Sequence, residues 1–329
     1  MNKKFKEKPS YRAVVVGCGF IGGGLPGRFN TGIHSHAQAY DQNPRTDLVG
    51  VCDINPRRLA DARKRWNVKT SVDPIGLCRQ VKPDIVSLCT PDKTHFRLGM
   101  SILMRYSPRI LFIEKPLAVK LTQAKKILRL ARQRNVAIAV NYSRRYSSVV
   151  QKLKSNLDQG RYGKPRFIHM FYGKGLLHNG SHALDLMRYL IGEPRWVKAG
   201  ASQGGLGADK TYDVDLVFRN GCRGKLTGFD ERVATVFEMD LFTDKERIQF
   251  SLGGRVWTSS ALARNKIVKG YAFYHPRKGH NGKESSLGDC LENAINNLVA
   301  FLDRKNPLLC TGQDGYEVLS LINKIRGFN

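Results

Sequence analysis

The chain has 329 residues, enough for two domains and a large buried core, and its 41% hydrophobic and 25% charged residues are ordinary for a globular protein. No stretch approaches the roughly 20 apolar residues that a membrane-spanning helix needs, so we expect no such helix. Residues 1–10 are polar and lysine-rich without an apolar signal core, so we expect a flexible basic tail, a cytoplasmic location and no membrane partner. Seven scattered cysteines, an odd number, indicate free thiols rather than a disulfide framework.

The charge is large and uneven. The formal net charge is +28, from 55 Lys and Arg against 27 Asp and Glu. Between Lys120 and Arg166 stand thirteen basic residues and one acid, Asp158. This run fits an anionic partner, such as a phosphorylated or nucleotide-linked sugar, and it equally fits a solvated helix face.

The first part of the chain alternates apolar runs with helical stretches. Asn55-Pro56 has the residues that open a helix, and residues 121–134 carry apolar side chains on one helical face. The apolar runs are continuous, as in parallel strands buried on both faces, and they lie at residues 13–16, 48–52, 85–89, 110–113 and 136–140. This alternation predicts an α/β Rossmann domain, a doubly wound parallel sheet, at residues 11–142.

After about residue 141 the pattern changes. Asn220-Gly221 is a strong tight-turn signal between two of several consecutive strand-like runs. We predict an α+β domain at residues 143–329 with an open, mostly antiparallel sheet. Its expected helices lie near residues 146–158, 181–191, 287–302 and 315–325, and its expected strands near residues 166–172, 196–202, 212–218, 222–229, 235–242 and 247–251.

A dinucleotide fingerprint follows the first strand. It has the pattern GxGxxG, with glycines for a tight turn, for close approach of the pyrophosphate and for helix packing, and consists of Gly17, Cys18, Gly19, Phe20, Ile21 and Gly22. Asp53 ends the second strand, where a carboxylate binds the ribose hydroxyls of NAD and repels a 2′-phosphate. Arg57 and Arg58 follow closely and could reach a 2′-phosphate, so NADP stays open beside NAD.

The spacing between fingerprint and acid is longer than usual. Asp53 lies 31 residues after Gly22, where about 20 is usual. We interpret the glycine-rich segment 23–33 as an insertion of 11 residues, because the usual spacing is restored when it is left out. His34 to Ala37 would then continue the first helix, and the insertion would form part of a lid beside the phosphate site.

Two further loops should line the cofactor crevice, because ligands of parallel sheets bind beyond the carboxyl ends of the strands. Thr90-Pro91 ends the strand at residues 84–89, and Glu114-Lys115-Pro116 ends the strand at residues 109–113. A free lysine, with a pKa of about 10.4, is a poor base at neutral pH. Beside a cationic nicotinamide and away from water its pKa should fall, which suits Lys115 to proton transfer.

The chain resembles the Gfo/Idh/MocA family, named for glucose-fructose oxidoreductase, inositol dehydrogenase and a rhizopine-catabolism protein. The resemblance spans nearly the whole chain in order, through VVVGCGFIG (14–22), VGVCDINP (49–56), SLCTPDKTH (87–95), FIEKPLAV (112–119), NYSRRYSS (141–148), GLLHNGSHALDLMRYLIGEP (175–194) and TGQDGYEVL (311–319). It implies NAD(P)-dependent oxidation or reduction of a sugar, cyclitol or similar polyol. It also implies that the C-terminal sheet makes oligomer contacts, so we expect a homo-oligomer, a dimer or a tetramer.

The resemblance also implies roles for individual residues. The family's acid–base set is the EKP lysine with an aspartate and a histidine four residues apart; Lys115 and His182 match it, but His178 stands at the aspartate position. Lys115 would give or take the proton, His182 would bind the reacting oxygen, and His178 and Asn179 would position substrate hydroxyls. The cofactor would contact Gly17, Gly19, Phe20, Ile21, Gly22, Asp53, Thr90, Pro91, His95, Glu114 and Lys115.

Several matching residues keep two interpretations. His95 is a cofactor contact or a helix-start residue, and Arg145, with Arg144, has a structural role between domains or contacts substrate. Asp185 could orient His182 or bind nearby backbone. His178, His182 and Asp185 have the spacing of a helical metal triad, although Gly180 weakens a helix there and the resemblance argues for a metal-free site.

The favoured function is an NAD-dependent sugar dehydrogenase or ketoreductase, with the basic run favouring an anionic or nucleotide-linked sugar over a neutral polyol such as inositol. A cofactor-bound regulator or polyanion-binding protein is the alternative from another class. The chain shows no recognition-helix signature, so nucleic acid is not expected as a partner. A third hypothesis, motivated by His178, is changed chemistry such as redox with retained NADH.

Overall fold

The computed structural model describes residues 10–24, 32–277, 283–284 and 287–327, without the side chains of residues 201–203, 205–206 and 283–284. The basic tail up to residue 9 and most of the predicted insertion, residues 25–31, lie outside the described residues. The chain divides into two units. The first holds the residues up to Tyr146 together with Gly288–Glu317, and the second holds Ser147–Leu287 with the residues from Val318 onward.

The first unit is built on a six-stranded parallel sheet with the order β3-β2-β1-β4-β5-β6. This order confirms the predicted Rossmann fold. Its elements are, in chain order, β1 (Tyr11–Val16), α1 (Phe20–Gly23), α2 (His36–Gln42), β2 (Thr46–Cys52), α3 (Pro56–Trp66), β3 (Lys69–Ser71), α4 (Pro74–Val81), β4 (Ile85–Leu88), α5 (Asp92–Arg105), β5 (Ile110–Glu114), α6 (Leu121–Gln133) and β6 (Ala137–Asn141).

Local signals set the helix starts. Asn55 and Asp73 each accept two backbone N–H groups at the start of α3 and α4, and each is followed by a proline at the first helical position. Ser35 accepts the N–H of Gln38 and so begins α2 as a new helix. The expectation that His34 to Ala37 continue the first helix is therefore wrong, because α1 ends at Gly23.

The second unit is built on a nine-stranded sheet with the order β14-β13-β12-β11-β7-β10-β9-β8 and β15 paired to β13. The pair β7–β10 is parallel and the other ladders are antiparallel, which confirms the predicted mostly antiparallel sheet. The elements are α7 (Ser148–Asp158), β7 (Pro165–Tyr172), a π turn (Leu176–Gly180), α8 (Ser181–Ile191), β8 (Pro194–Leu206), β9 (Asp209–Phe218), β10 (Arg223–Gly228), β11 (Phe237–Thr243), β12 (Glu246–Ser251), β13 (Val256–Arg264), β14 (Ala272–Pro276) and β15 (Lys283–Glu284).

Helix α8 covers the inner face of this sheet. A Cβ at Gly224 of β10 would lie 2.9 Å from Met187 Cε and 2.8 Å from Phe218, so the glycine lets helix and sheet approach closely. Every residue of α8 except Tyr189 is buried. Strand β11 alternates buried and half-buried residues, as expected for a sheet with one covered face.

The last two helices are α9 (Cys290–Leu302) and α10 (Gly312–Gly327). Helix α9 belongs to the first unit, although the sequence pattern placed it with the second domain. Asn296 accepts a hydrogen bond from Asn43 at 2.7 Å, and Asn293 donates to the Tyr146 carbonyl at 2.9 Å. These are long-range contacts that a pattern along the chain does not contain.

No helix in the described ranges is both long and apolar enough to cross a membrane.

All seven cysteines are free, buried thiols. Burial raises the pKa of Cys18, Cys52 and Cys78 to about 12, so these thiols behave as small apolar side chains rather than nucleophiles.

Candidate active site

The glycine turn at the end of β1 requires glycine on geometric grounds. Gly17 has φ of +96°, and a Cβ there would lie 2.8 Å from the carbonyl carbon and oxygen of Cys89. A Cβ at Gly22 would overlap the carbonyl oxygen of Gly17. The turn, the start of α1 and the end of β4 are therefore packed backbone to backbone.

The space beside this turn fits a dinucleotide. Among the described residues, a Cβ at Gly19 would meet only the Arg58 guanidinium, at 3.9 Å, which leaves the Gly19 backbone accessible to a pyrophosphate on that side. Asp53 is buried at the end of β2, and its carboxylate accepts the N–H of Cys18 at 2.6 Å and of Asn55 at 2.8 Å. A carboxylate has about four acceptor positions, so two hydrogen bonds leave capacity for ribose hydroxyls. Arg58 lies 3.5 Å from Asp53.

Beside the glycine turn, the ends of the predicted insertion line a cavity of about 360 Å³. Gly24 and Gly32 contribute to its wall together with Phe20, and Arg65 donates a hydrogen bond to the Gly24 carbonyl. The lid role of residues 25–31 falls outside the described residues and stays a prediction.

His95 joins two loops at the carboxyl edge of the sheet. It is fully buried, with Nε2 at 2.7 Å from the Thr90 carbonyl and Nδ1 at 2.8 Å from the Pro116 carbonyl. Carbonyl oxygens only accept, so a neutral ring satisfies one contact and a protonated ring satisfies both. His95 thus links the loop after β4 with the loop after β5, a role the sequence did not indicate.

Glu114 is held by a polar network that the sequence did not predict. Its Oε1 lies 2.9 Å from His36 Nε2 and accepts a hydrogen bond from Asn141 Nδ2 at 2.6 Å. His36 Nδ1 lies 3.0 Å from Ser87 Oγ, which in turn lies 2.8 Å from the Tyr40 hydroxyl. Glu114 therefore faces the inside of the Rossmann unit with both partners on neighbouring elements, and these contacts fix the residue before Lys115.

The network also sets the charge of Glu114. Burial by itself raises the pKa of the carboxyl, but the hydrogen bonds from His36 and Asn141 and the charges of His36 and Lys115 outweigh it and hold the pKa below its ordinary value. Glu114 is accordingly an ionised carboxylate at neutral pH.

This lowered pKa predicts a pH-dependent stability. A glutamate whose pKa is lower in the folded state stabilises the protein above its unfolded pKa, about 4.3, and loses that effect as the pH falls through the folded value. The difference in unfolding free energy between wild type and E114Q should therefore shrink on acidification below about pH 5. Urea unfolding at a series of pH values measures it. The exposed Glu292 gives the comparison variant E292Q, and an E114Q difference that does not change with pH would contradict the assignment.

The edge of the sheet brings the predicted cofactor residues of the first unit together. Val16 pairs with Leu88 and Leu88 with Ile113, so Gly17, Thr90 and Lys115 each follow one of three adjacent parallel strands. Lys115 is half-buried, and the Lys115–Pro116 peptide bond is cis. The three loops therefore lie side by side at one edge of the sheet.

The predicted substrate residues of the second unit lie on the π turn and on α8. His178 is exposed and Asn179 half-buried on the turn, whereas His182 and Asp185 are buried on α8. Within the described ranges, these residues do not form a group able to hold a metal ion. The change from a π turn to α8 at Ser181 agrees with the weakened helix expected at Gly180.

Arg145 makes structural contacts in the first unit. Its side chain is buried, pairs with Asp314 at 3.1 Å and donates to the Leu309 carbonyl at 3.2 Å. Leu309 precedes α10, and Asp314 lies in its first turn. These contacts favour the structural interpretation of Arg145, and its contact with substrate stays a prediction.

The basic run at residues 120–166 is divided between the two units. Lys125, Lys126 and Arg129 are exposed on α6 of the first unit. In the second unit, Lys154 pairs with Asp158 at 2.5 Å and Arg166 with Asp244 at 2.5 Å. The distribution favours solvated helix faces and paired surface charges for this run.

Comparison with known proteins identifies the family. Residues 11–142 match the model of the GFO/IDH/MocA oxidoreductase family with an NAD-binding Rossmann fold, and residues 150–248 match the C-terminal domain of the same family. The chain belongs to the GFO/IDH/MocA family. It is an oxidoreductase, and its cofactor is NAD, held by the first unit.

Individual members of the GFO/IDH/MocA family differ in substrate. The myo-inositol 2-dehydrogenase of Thermotoga maritima is 25% identical over 268 residues, which cover 72% of this chain and 74% of that protein. The UDP-N-acetylglucosamine 3-dehydrogenase of Acidithiobacillus ferrooxidans is 33% identical over 152 residues, covering 46% and 43%. The WlbA dehydrogenase from Bordetella pertussis, solved in complex with NADH and UDP-GlcNAcA, shares the fold with a TM-score of 0.75 at 18% identity, covering 97% of this chain and 96% of that chain.

Proposed function

We propose that this protein oxidises or reduces a secondary alcohol or ketone of a nucleotide-linked sugar, using NAD. The observation that carries the proposal is the placement of Lys115 beyond β5, at the same sheet edge as the glycine turn after β1 and Thr90 after β4. Bound NAD supplies the site that accepts or gives a hydride. A titratable ammonium at this edge supplies the accompanying proton transfer.

The chain's own residues divide the remaining work. Lys115 takes the proton of the substrate hydroxyl in oxidation and returns it in reduction, while the ionised Glu114 and its partners fix the loop that carries the lysine. We propose that His182 hydrogen-bonds the reacting oxygen and that His178 and Asn179 hold neighbouring hydroxyls. Asp53 and the glycine turn hold the ribose and the pyrophosphate of the cofactor.

Two observations support a nucleotide-linked sugar. The UDP-N-acetylglucosamine 3-dehydrogenase is 33% identical over 152 residues, against 25% for the inositol dehydrogenase. A solved structure with the same fold contains UDP-GlcNAcA. The net charge of +28 favours an anionic substrate over a neutral one. The second candidate is an inositol or other neutral polyol, which the inositol dehydrogenase relative supports.

We further propose that the protein works in the cytoplasm as a homo-oligomer. Seven buried free thiols support a reducing compartment. The wide sheet of the second unit, with one face covered by α8, supports association through the other face. Sedimentation velocity measures the oligomer, and a monomer at micromolar concentration would contradict this part.

A substrate panel tests the proposed function. Purified protein with NAD is offered UDP-N-acetylglucosamine, the corresponding uronic acid, myo-inositol and scyllo-inositol, and the absorbance of NADH is followed. We expect kcat/KM for the UDP-sugars to exceed that for the inositols by at least about tenfold, roughly 1.4 kcal/mol. A higher kcat/KM for the inositols would favour a neutral polyol as the substrate. No turnover with either class would contradict the proposed dehydrogenase activity.

A further inference from the structure

We propose that Asp209 is a positioning residue that fixes the turn bearing His178 and thereby orients the substrate-binding side chains of the second unit. This inference rests on the proposed function for its catalytic consequence. Its structural part, the capping of the turn by a carboxylate from β9, stands on contacts within the second unit.

The turn needs a cap. Residues Leu176–Gly180 form a single π turn, in which the N–H groups of Asn179 and Gly180 bond to the Gly175 carbonyl at 3.2 and 3.0 Å. The N–H groups at the start of a helical turn have no partner within it. At this turn they include the N–H groups of Leu177 and His178, and the N-cap residue, Gly175, has no side chain with which to cap them.

Asp209 supplies the cap from a distant part of the chain. Leu177 N–H donates to its carboxylate at 3.0 Å, and His178 N–H donates to Oδ2 at 2.9 Å. Asp209 lies at the first position of β9, 31 residues after His178, so the contact ties the turn to the sheet. A charged acceptor makes these hydrogen bonds stronger than a neutral one would.

A cation fixes the carboxylate in turn. Arg326, in the last turn of α10, donates from Nη2 to Asp209 Oδ1 at 2.8 Å. The two oxygens of Asp209 therefore bond the turn and the guanidinium together. Rotation of the carboxylate would break one set of contacts, so the arginine holds Asp209 in the orientation that caps the turn.

Two glycines of the turn region leave room for the side chains that pack against it. Gly175, which precedes the turn, has φ of +85°, and a Cβ there would overlap the Asp209 carboxylate. Gly180 is similarly close to the Tyr172 ring, where a Cβ would lie 2.8 Å from Cε2. The turn is thus fitted between Asp209 and Tyr172, with His178 on its exposed side.

The consequence is geometric. The hydrogen bond to Asp209 fixes the orientation of the His178 backbone. His182 lies four residues later, at the start of α8. A misplacement of about 1 Å in groups that position a substrate can cost on the order of a hundredfold in rate. Asp209 touches no substrate in this scheme and acts through the turn.

The test compares D209N with D213N. Asp213 lies on the same strand and also accepts a backbone N–H, that of Gly228 at 2.9 Å, which belongs to β10 and not to the turn. In D209N one carboxylate oxygen becomes an NH₂ group, which cannot accept. We expect kcat/KM for UDP-N-acetylglucosamine to fall about ten- to a hundredfold in D209N, with the NAD dissociation constant unchanged, and to stay near wild type in D213N.

Amide hydrogen exchange supplies a readout independent of turnover. Exchange at Leu177 and His178 should speed up in D209N and in G175A, whose added methyl would displace the carboxylate, and should stay at the wild-type rate in D213N. Unchanged exchange in D209N would overturn the proposal. Faster exchange with unchanged kcat/KM would overturn its catalytic part. If wild type turns over no sugar, the proposed function fails while the exchange result still decides the cap.

Discussion

Replacing Lys115 with alanine should lower kcat for the sugar by about a hundred- to ten-thousandfold, because it removes the group that carries the substrate proton. The NAD dissociation constant should rise by less than about tenfold, since one cofactor contact is lost while the glycine turn and Asp53 are unchanged. K115R sharpens the test. Arginine keeps the positive charge but does not deprotonate, so this variant should be as inactive as K115A if proton transfer is the role of the lysine.

Lys120 provides the matched control. It is exposed, lies five residues after Lys115 and precedes α6. Because it has no role in the proposed site, K120A should retain the wild-type kcat. Stopped-flow and steady-state assays at saturating NAD measure kcat for K115A, K115R and K120A. Wild-type turnover in K115A would remove the mechanism, and activity retained in K115R alone would assign the lysine an electrostatic role instead.

The second large effect should come from Gly22→Ala. A Cβ at this position would overlap the Gly17 carbonyl oxygen and lie 3.0 Å from Cys89 Cβ, and backbone atoms cannot move aside as a flexible side chain can. The turn between β1 and α1 must therefore open. We expect NAD affinity to fall by at least about a hundredfold, roughly 2.8 kcal/mol, and the melting temperature to drop.

Gly99→Ala is the control for this substitution. Gly99 is buried in α5 of the same unit, and a Cβ there would make only ordinary contacts, 3.9 Å from Ile127 and Leu111. Alanine in a helix interior is favoured over glycine by about 1 kcal/mol, so G99A should melt at or above the wild-type temperature and bind NAD normally. Isothermal titration and thermal unfolding measure the pair. Equal NAD affinity in G22A and wild type would contradict the role of the glycine turn.

The sequence was most informative where the physics is local. Continuous apolar runs separated by helices predicted the parallel sheet, because strands buried on both faces have no polar alternation. The candidate site residues at the ends of these strands, Gly17, Asp53 and Lys115, were predicted for the same reason: each immediately follows a run that the pattern marks. Asn55-Pro56 likewise predicted the start of α3.

Prediction was weaker where strands are short or polar. Strand β3 (Lys69–Ser71) has three residues and no apolar run, and β13 and β14 carry mostly exposed and half-buried residues, as a loop does. Helix α9 was predicted as a helix but not as part of the first unit, since the partners of its asparagines lie far away in sequence.

The amino-acid sequence by itself determined the Rossmann fold, the NAD fingerprint and the family, since each depends on residue type at fixed spacing along the chain. Only the tertiary structure decided which side chains hold the site residues in place. His36 and Asn141 bond Glu114, His95 joins the loops after β4 and β5, and Asp209 caps the turn of His178. A hydrogen bond between residues tens of positions apart forms because folding brings the two groups together, and the sequence does not encode that separation as a local pattern.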